Sequence, residues 1–172
     1  MTIDFRQKSP DINAAFAWIA KCPTGRRFLE EFLRHSGQRR VDVLPFPTEL
    51  SERLRALRVP GENHGAVFVT DGVTGQIYVD YANETVVLAI FLFHEIVHAL
   101  DAELWKMAKR GVRCEKGILE AERRAYAQQS RFIEELEQRY PELRAFINTH
   151  PAAAALRRHF NAAELAELYR AA

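Results

Sequence analysis

Residues 85–100 read TVVLAIFLFHEIVHAL, and how this stretch is read decides the architecture. An apolar run from Thr85 to Phe93 leads straight into His94-Glu95-Ile96-Val97-His98, and Ala99 and Leu100 follow. The run is too short to span a bilayer and is interrupted by His94, Glu95 and His98. A helix that is apolar all round is a buried core helix, and Asn83 just upstream is a favourable N-cap. Positions four apart on a helix share a face, so His94 and His98 direct their ring nitrogens at one point in space. Two histidines and a glutamate in a buried helix cost several kcal/mol unless they have partners. A metal ion is such a partner. The H-E-x-x-H spacing suits tetrahedral zinc, with Glu95 beside the ion to take a proton from a metal-bound water.

A catalytic zinc needs a third protein ligand and an open fourth position. Position 101 is Asp and position 104 is Leu, so the extended pattern with a third histidine six residues on is absent. The segment GILEAERRAYAQQSRFIEEL, residues 117–136, carries an apolar stripe at Ile118, Ala125, Tyr126, Ile133 and Leu136. That stripe predicts an inward-facing residue at 122, where Glu122 stands. Glu120 is rotated by about 200° from Glu122, onto a face shared with Arg124, Arg131 and Glu134, and reads as a surface acid. A buried glutamate without a cation is expensive, and zinc resolves that cost. Glu122 is therefore the expected third ligand. Gln129, on the same stripe, reads as a satisfied core-edge amide or as a support for a ligand. Asp101, one turn past His98, reads as a surface acid or as an orienter of a ligand histidine.

Working outward, GAVFVTD (65–71) and GQIYVDY (75–81) are β-branched and aromatic segments around Asp71, Gly72 and Gly75, the pattern of a hairpin. Upstream, Ser9-Pro10 predicts a helix start, with Ile12, Phe16 and Ile19 at helical spacing. Thr24 is expected to cap a second helix that Gly37 ends. A short strand is expected over 40–44 and a helix over 49–57. After Asn83 the chain reads as helical throughout, with breaks near 111–117, at Pro141 and at His150-Pro151. Asn161 and Glu164 open a last helix. The domain reading is one unit over 1–172: an N-terminal helical segment (1–62), a hairpin (63–82), and active-site and C-terminal helices (83–172). The expected fold class is α+β, predominantly α.

A chain of 172 residues is one domain's worth. It is 48% hydrophobic and 10% aromatic, a composition that folds. Its 24 Lys plus Arg against 23 Asp plus Glu leave a net charge of +1, which argues against a nucleic-acid binder. Cys22 and Cys114 form neither a CxxC pair nor a disulfide framework. No signal peptide or transmembrane segment is read, so the expectation is cytoplasmic, with specialised secretion left open. His64, His150 and His159 are expected to be exposed, and the arginine pairs at 26–27, 39–40, 123–124 and 157–158 read as solvated faces. The C-terminal amphipathic stretch reads as a packing or dimer element rather than a membrane anchor.

His94-Glu95-x-x-His98 followed by Glu122-x-x-Ala125 resembles the gluzincin metallopeptidases, whose second helix carries an E-x-x-[Ser/Ala] glutamate ligand. The resemblance covers residues 86 to about 136, and small uncharacterised bacterial metallopeptidases are the nearest company. It implies a zincin-like fold, Zn²⁺ held by His94, His98 and Glu122, and Glu95 as general base. Gluzincins often place an acid one turn after the ligand glutamate to hold a zinc histidine. Here Tyr126 stands there, with a supporting or oxyanion-stabilising role implied. A looser similarity runs from FAWIAKCPTGRRFLEEF (16–32) to RRVDVL, matching the opening of type III secreted zinc metalloproteases and implying a secreted effector. The function implied is hydrolysis of peptide bonds in a peptide or protein, with either hairpin strand as the edge that takes up substrate. The alternative is a non-catalytic zincin scaffold that docks a protein partner. The intact Glu95 speaks for catalysis.

Overall fold

The computed structural model describes residues 3–39, 41–47, 65–158, 161 and 163. The elements are α1 (Ile12–Ile19), α2 (Pro23–Arg39), β1 (Val41–Pro45), β2 (Ala66–Thr70), β3 (Gly75–Val79), α3 (Thr85–Leu100), α4 (Ala102–Lys109), α5 (Glu115–Arg139), α6 (Glu142–Thr149) and α7 (Ala153–Leu156). The chain is α+β and mainly helical, as expected. The expected helix over 49–57 lies outside the described residues, as do His64, His159 and Glu164. Asn161 accepts from the backbone N–H of Ala163 (3.1 Å), consistent with the capping role read for it.

Helix α3 is the centre of the molecule. Every residue from Thr85 to Ala99 is buried except Glu95, as an all-round apolar sequence requires. Helices α1, α2 and α5 pack around it, and β2 and β3 cover another side. Phe93 stacks on Phe132 of α5 (centroids 4.5 Å) and meets Phe28 of α2 edge-on (5.5 Å). Gly25 lets α2 approach this core. A Cβ there would lie 2.0 Å from the Ile19 carbonyl oxygen and 2.8 Å from the Phe132 ring.

The hairpin is present, but the sheet has a third strand. The order is β1-β3-β2, with β3 antiparallel to β2 (Phe68 opposite Ile77) and parallel to β1 (Val43 opposite Ile77). The N-terminal helical segment thus contributes a strand to this sheet. The strand expected over 40–44 is observed at Val41–Pro45. At the hairpin corner Asp71 Oδ1 accepts from the N–H groups of Val73 and Thr74 (both 2.7 Å). Gly72 takes φ +86 there, a conformation that disfavours side chains.

Several helix ends differ from the sequence expectation, and at the starts of α2 and α3 remote partners supply the acceptors. Asp11, not Ser9, caps α1 by accepting from Asn13 N–H (2.9 Å), so the helix starts two residues past Pro10. Thr24 is not a cap but the second residue of α2. Its N–H and hydroxyl both donate to Glu135 of α5 (2.8 and 2.6 Å), which satisfies the helix start from outside. Gly37 does not end α2, which continues to Arg39. Asn83 does not cap α3. The N–H and hydroxyl of Thr85 donate to the Gln7 carbonyl (2.8 and 3.0 Å), so the N-terminal segment closes that end. The chain is also not helical across residue 101: α3 and α4 meet at a 64° bend. Asp101 adopts extended backbone at the corner and accepts from Glu103 N–H (3.0 Å).

The C-terminal helices dock with Leu143, Ile147, Ala152 and Leu156 buried. Buried Glu137 of α5 accepts from Arg144 (3.1 Å) and from Arg157. His150, expected to be exposed, is instead packed at the start of α3. Its Nδ1 accepts from Ala152 N–H (3.0 Å), so Nε2 is the protonated nitrogen and donates to Glu84 (2.9 Å). Burial pushes the Glu84 carboxyl up, but this contact, together with the backbone N–H of Glu84 and the Lys8 charge, outweighs it and holds the group below its ordinary 4.5. Among the described residues no single helix is long and apolar enough to cross a membrane.

Candidate metal centre

Helices α3 and α5 lie side by side and bring three donors together. His94 Nε2 and His98 Nε2 are 3.0 Å apart. The two oxygens of Glu122 approach them at 3.3 Å (Oε2 to His94) and 3.4 Å (Oε1 to His98). Ligands about 2.0–2.1 Å from one ion at tetrahedral angles lie about 3.3 Å from one another, so the cluster has the dimensions of a small metal's first coordination sphere. His94, His98 and Glu122 thus form a group able to hold a metal ion. Burial pushes the Glu122 carboxyl up, but the adjoining His94 and His98 outweigh it and hold the group below its ordinary 4.5. Glu120 lies on the exposed face and pairs with Arg123 (2.9 Å), as its rotation predicts.

The donor chemistry fits a metal through the tautomer of His94. Buried Gln129 donates its Nε2 to the Leu156 carbonyl (3.0 Å), a group that can only accept. The amide oxygen must then face His94, whose Nδ1–H donates to it (2.9 Å). With the proton on Nδ1, the Nε2 lone pair is directed at the donor cluster, the tautomer a metal ligand needs. Gln129, rather than Tyr126 one turn earlier, is therefore the hydrogen-bond partner of His94. His98 Nδ1 is buried with no hydrogen-bond partner among the described residues. Asp101 does not orient a ligand histidine, because it caps α4 and pairs with Arg124 of α5. Arg124 itself stays on the exposed face expected for it, with its side chain 45% exposed.

Glu95 reaches the sheet. Its Oε2 accepts from the backbone N–H of Phe68 in β2 (2.8 Å). Burial and the nearby Glu122 charge push its carboxyl up to about 7, against the lowering effect of His94 and the Phe68 N–H. The strand order makes β2 the hairpin strand at an edge of the sheet, β1 being the other edge. β3 is the central strand and β2 the one beside α3. Since Phe68 N–H faces Glu95, alternation turns the backbone groups of Ala66, Phe68 and Thr70 away from β3.

Tyr126 stands with its ring edge-on to His94 (centroids 4.7 Å). It does not take the hydrogen bond of His94, which belongs to Gln129. Burial, with the charges of Glu122 and Glu95, pushes its phenol up to about 12, and Arg158 hydrogen-bonds the phenol and opposes the shift. Arg158 and the Phe68 backbone are components of the site that sequence reasoning missed. In sequence the arginine reads as half of a surface pair, and a backbone N–H leaves no mark at all. No family model, curated protein or solved structure matches this chain.

Proposed function

We propose that this chain is a zinc-dependent metallopeptidase that hydrolyses peptide bonds in a peptide or protein. Zinc would be held by His94, His98 and Glu122, with Glu95 as general base on a zincin-like scaffold. The observation that supports this best is the convergence of three donors within 3.0–3.4 Å on one side of α3. The acid next to the first ligand sits on the side of the sheet edge.

Bound there, zinc supplies Lewis acidity, polarising a carbonyl and lowering the pKa of water to about 7. Glu95 accepts a proton at its carboxylate and hands it to the leaving amine. The Phe68 N–H holds this carboxylate beside the edge strand, so the base is in place before substrate arrives. A peptide laid along β2 as an extra strand brings its backbone next to Glu95. Tyr126 stays protonated at working pH, and Arg158 donates to its oxygen, leaving the phenol hydrogen for a developing negative charge.

The test is metal content of protein purified without added zinc or chelator, followed by incubation with a peptide library. About one zinc per chain, with hydrolysis abolished by Glu95→Gln while zinc is retained, supports the reading. Zinc without cleavage of any substrate overturns the peptidase and favours the docking scaffold. Absence of zinc, with none taken up on titration, overturns the metal centre.

A further inference from the structure

The C-terminal strap, from α6 through Arg158, is docked onto the metal centre, and its docking sets the chemistry of a ligand. Gln129 is the link. Its amide spans from His94 Nδ1 (2.9 Å) to the carbonyl of Leu156 (3.0 Å), at the last residue of α7. Carbonyls at a helix end lack intrahelical partners, so this one is available only where the strap lies. Without it, nothing else among the described residues orients the amide. A flip would present the NH₂ group to His94 Nδ1, forcing the proton onto Nε2 and directing an N–H at the metal position.

The strap is held in place by contacts remote from the donors. Buried Glu137 takes Arg144 and Arg157, and Arg157 also donates to Asn148 of α6 (3.1 Å). His150 donates to Glu84 at the far end of α3. Leu143, Ile147 and Leu156 are fully buried. The strap reaches the site a second time through Arg158 on Tyr126, whose ring lies against His94.

We propose that Gln129 and the Leu156 carbonyl are a positioning pair that links docking of the C-terminal strap to metal binding: a docked strap favours the metal, and a bound metal tightens the strap. This rests on the metal centre proposed above. The linkage is reciprocal by thermodynamic necessity.

The test uses the full chain, zinc affinity by competition with a chromophoric chelator, and amide hydrogen exchange with and without zinc. Zinc is expected to slow exchange over residues 142–158 several-fold beyond the protection gained by α2. Arg157→Ala, which touches no donor, is expected to weaken zinc binding by about 10-fold. Gln129→Glu keeps an acceptor for His94 but loses the donor to Leu156. It is expected to hold zinc within a few-fold of the parent and to lose the zinc-dependent protection of 142–158. Zinc binding that leaves exchange over 142–158 no slower than in α2 overturns the linkage and spares the metal centre. So does full affinity in an Arg157→Ala chain whose strap exchanges faster. Should Arg157→Ala fail to fold, the exchange comparison on the parent decides alone. A parent chain that takes up no zinc overturns the metal centre itself.

Discussion

The Glu95 carboxylate and the Phe68 backbone, 27 residues apart in the chain, are joined by a hydrogen bond of 2.8 Å. It ties the acid of the motif helix to the edge strand of the sheet. The relationship separates two substitutions that are often treated as equivalent. Gln at position 95 retains an oxygen that accepts from Phe68 N–H, whereas Ala leaves that donor unpaired.

Glu95→Gln is therefore expected to be at least as stable as the parent in the absence of metal, and Glu95→Ala less stable by about 1–2 kcal/mol. Urea unfolding of both variants checks this. On the proposed mechanism either change lowers peptide hydrolysis by about 10²–10⁴-fold. Equal stability of the two would mean that the Phe68 contact carries no weight.

Glu122→Gln and His98→Ala are expected to abolish the stabilisation that zinc confers. A ligand at a hundred times its Kd raises stability by about 2.7 kcal/mol, so the parent's melting temperature should rise on zinc addition and fall back with chelator. The variants should melt at one temperature with or without zinc. A zinc-dependent rise that survives Glu122→Gln would remove this carboxylate from the ligand set.

Glu135 caps α2 across the helix interface and gives a stability prediction far from the metal. Burial pushes its carboxyl up, but the Thr24 hydroxyl and N–H outweigh this and hold it below 4.5. The folded-state pKa is depressed, so the contribution is present above the unfolded value near 4.5 and is lost as pH falls below it. Glu135→Ala is expected to cost about 1–2 kcal/mol at pH 7, read from denaturant midpoints. The deficit should narrow as the pH is taken below about 4.5.

Glu137 has two arginine partners of unequal exposure, Arg144 at 70% and Arg157 at 34%. The more exposed ion is better solvated and contributes less. Arg157→Ala is expected to cost about 1–3 kcal/mol, because it leaves a buried carboxylate half-satisfied and also strips the contact to Asn148. Arg144→Ala should cost about 1 kcal/mol or less. Thermal denaturation of the two variants ranks them, and the reverse order would contradict the geometry.

Much of the candidate site is legible in the sequence because it is written in local periodicity. His94 and His98 share a helix face through their spacing alone. Glu122 stands out because a carboxylate occupies a place where the apolar stripe calls for a core residue. The same stripe, read without depth, includes Ile118 and misses Ala121, Phe132 and Glu137, which the neighbouring helices bury. The helix starts expected at Thr24 and Asn83 fail for one reason. A cap is any acceptor that reaches the first free N–H groups, and for α2 and α3 that acceptor comes from Glu135 and Gln7, remote in sequence.

The central buried helix, the hairpin and the spacing of the metal donors follow from patterns within a few turns of chain, where 3.6- and 2-residue periods decide which side chains share a face. The third strand, the choice of β2 as the edge, the partner of Glu95 and the tautomer of His94 do not. Each depends on a group brought in from another element: β1 beside β3, the Phe68 N–H, and the Leu156 carbonyl that turns Gln129. Hydrogen bonds act over about 3 Å and are indifferent to separation along the chain. Such partners exist only once packing has set the elements side by side.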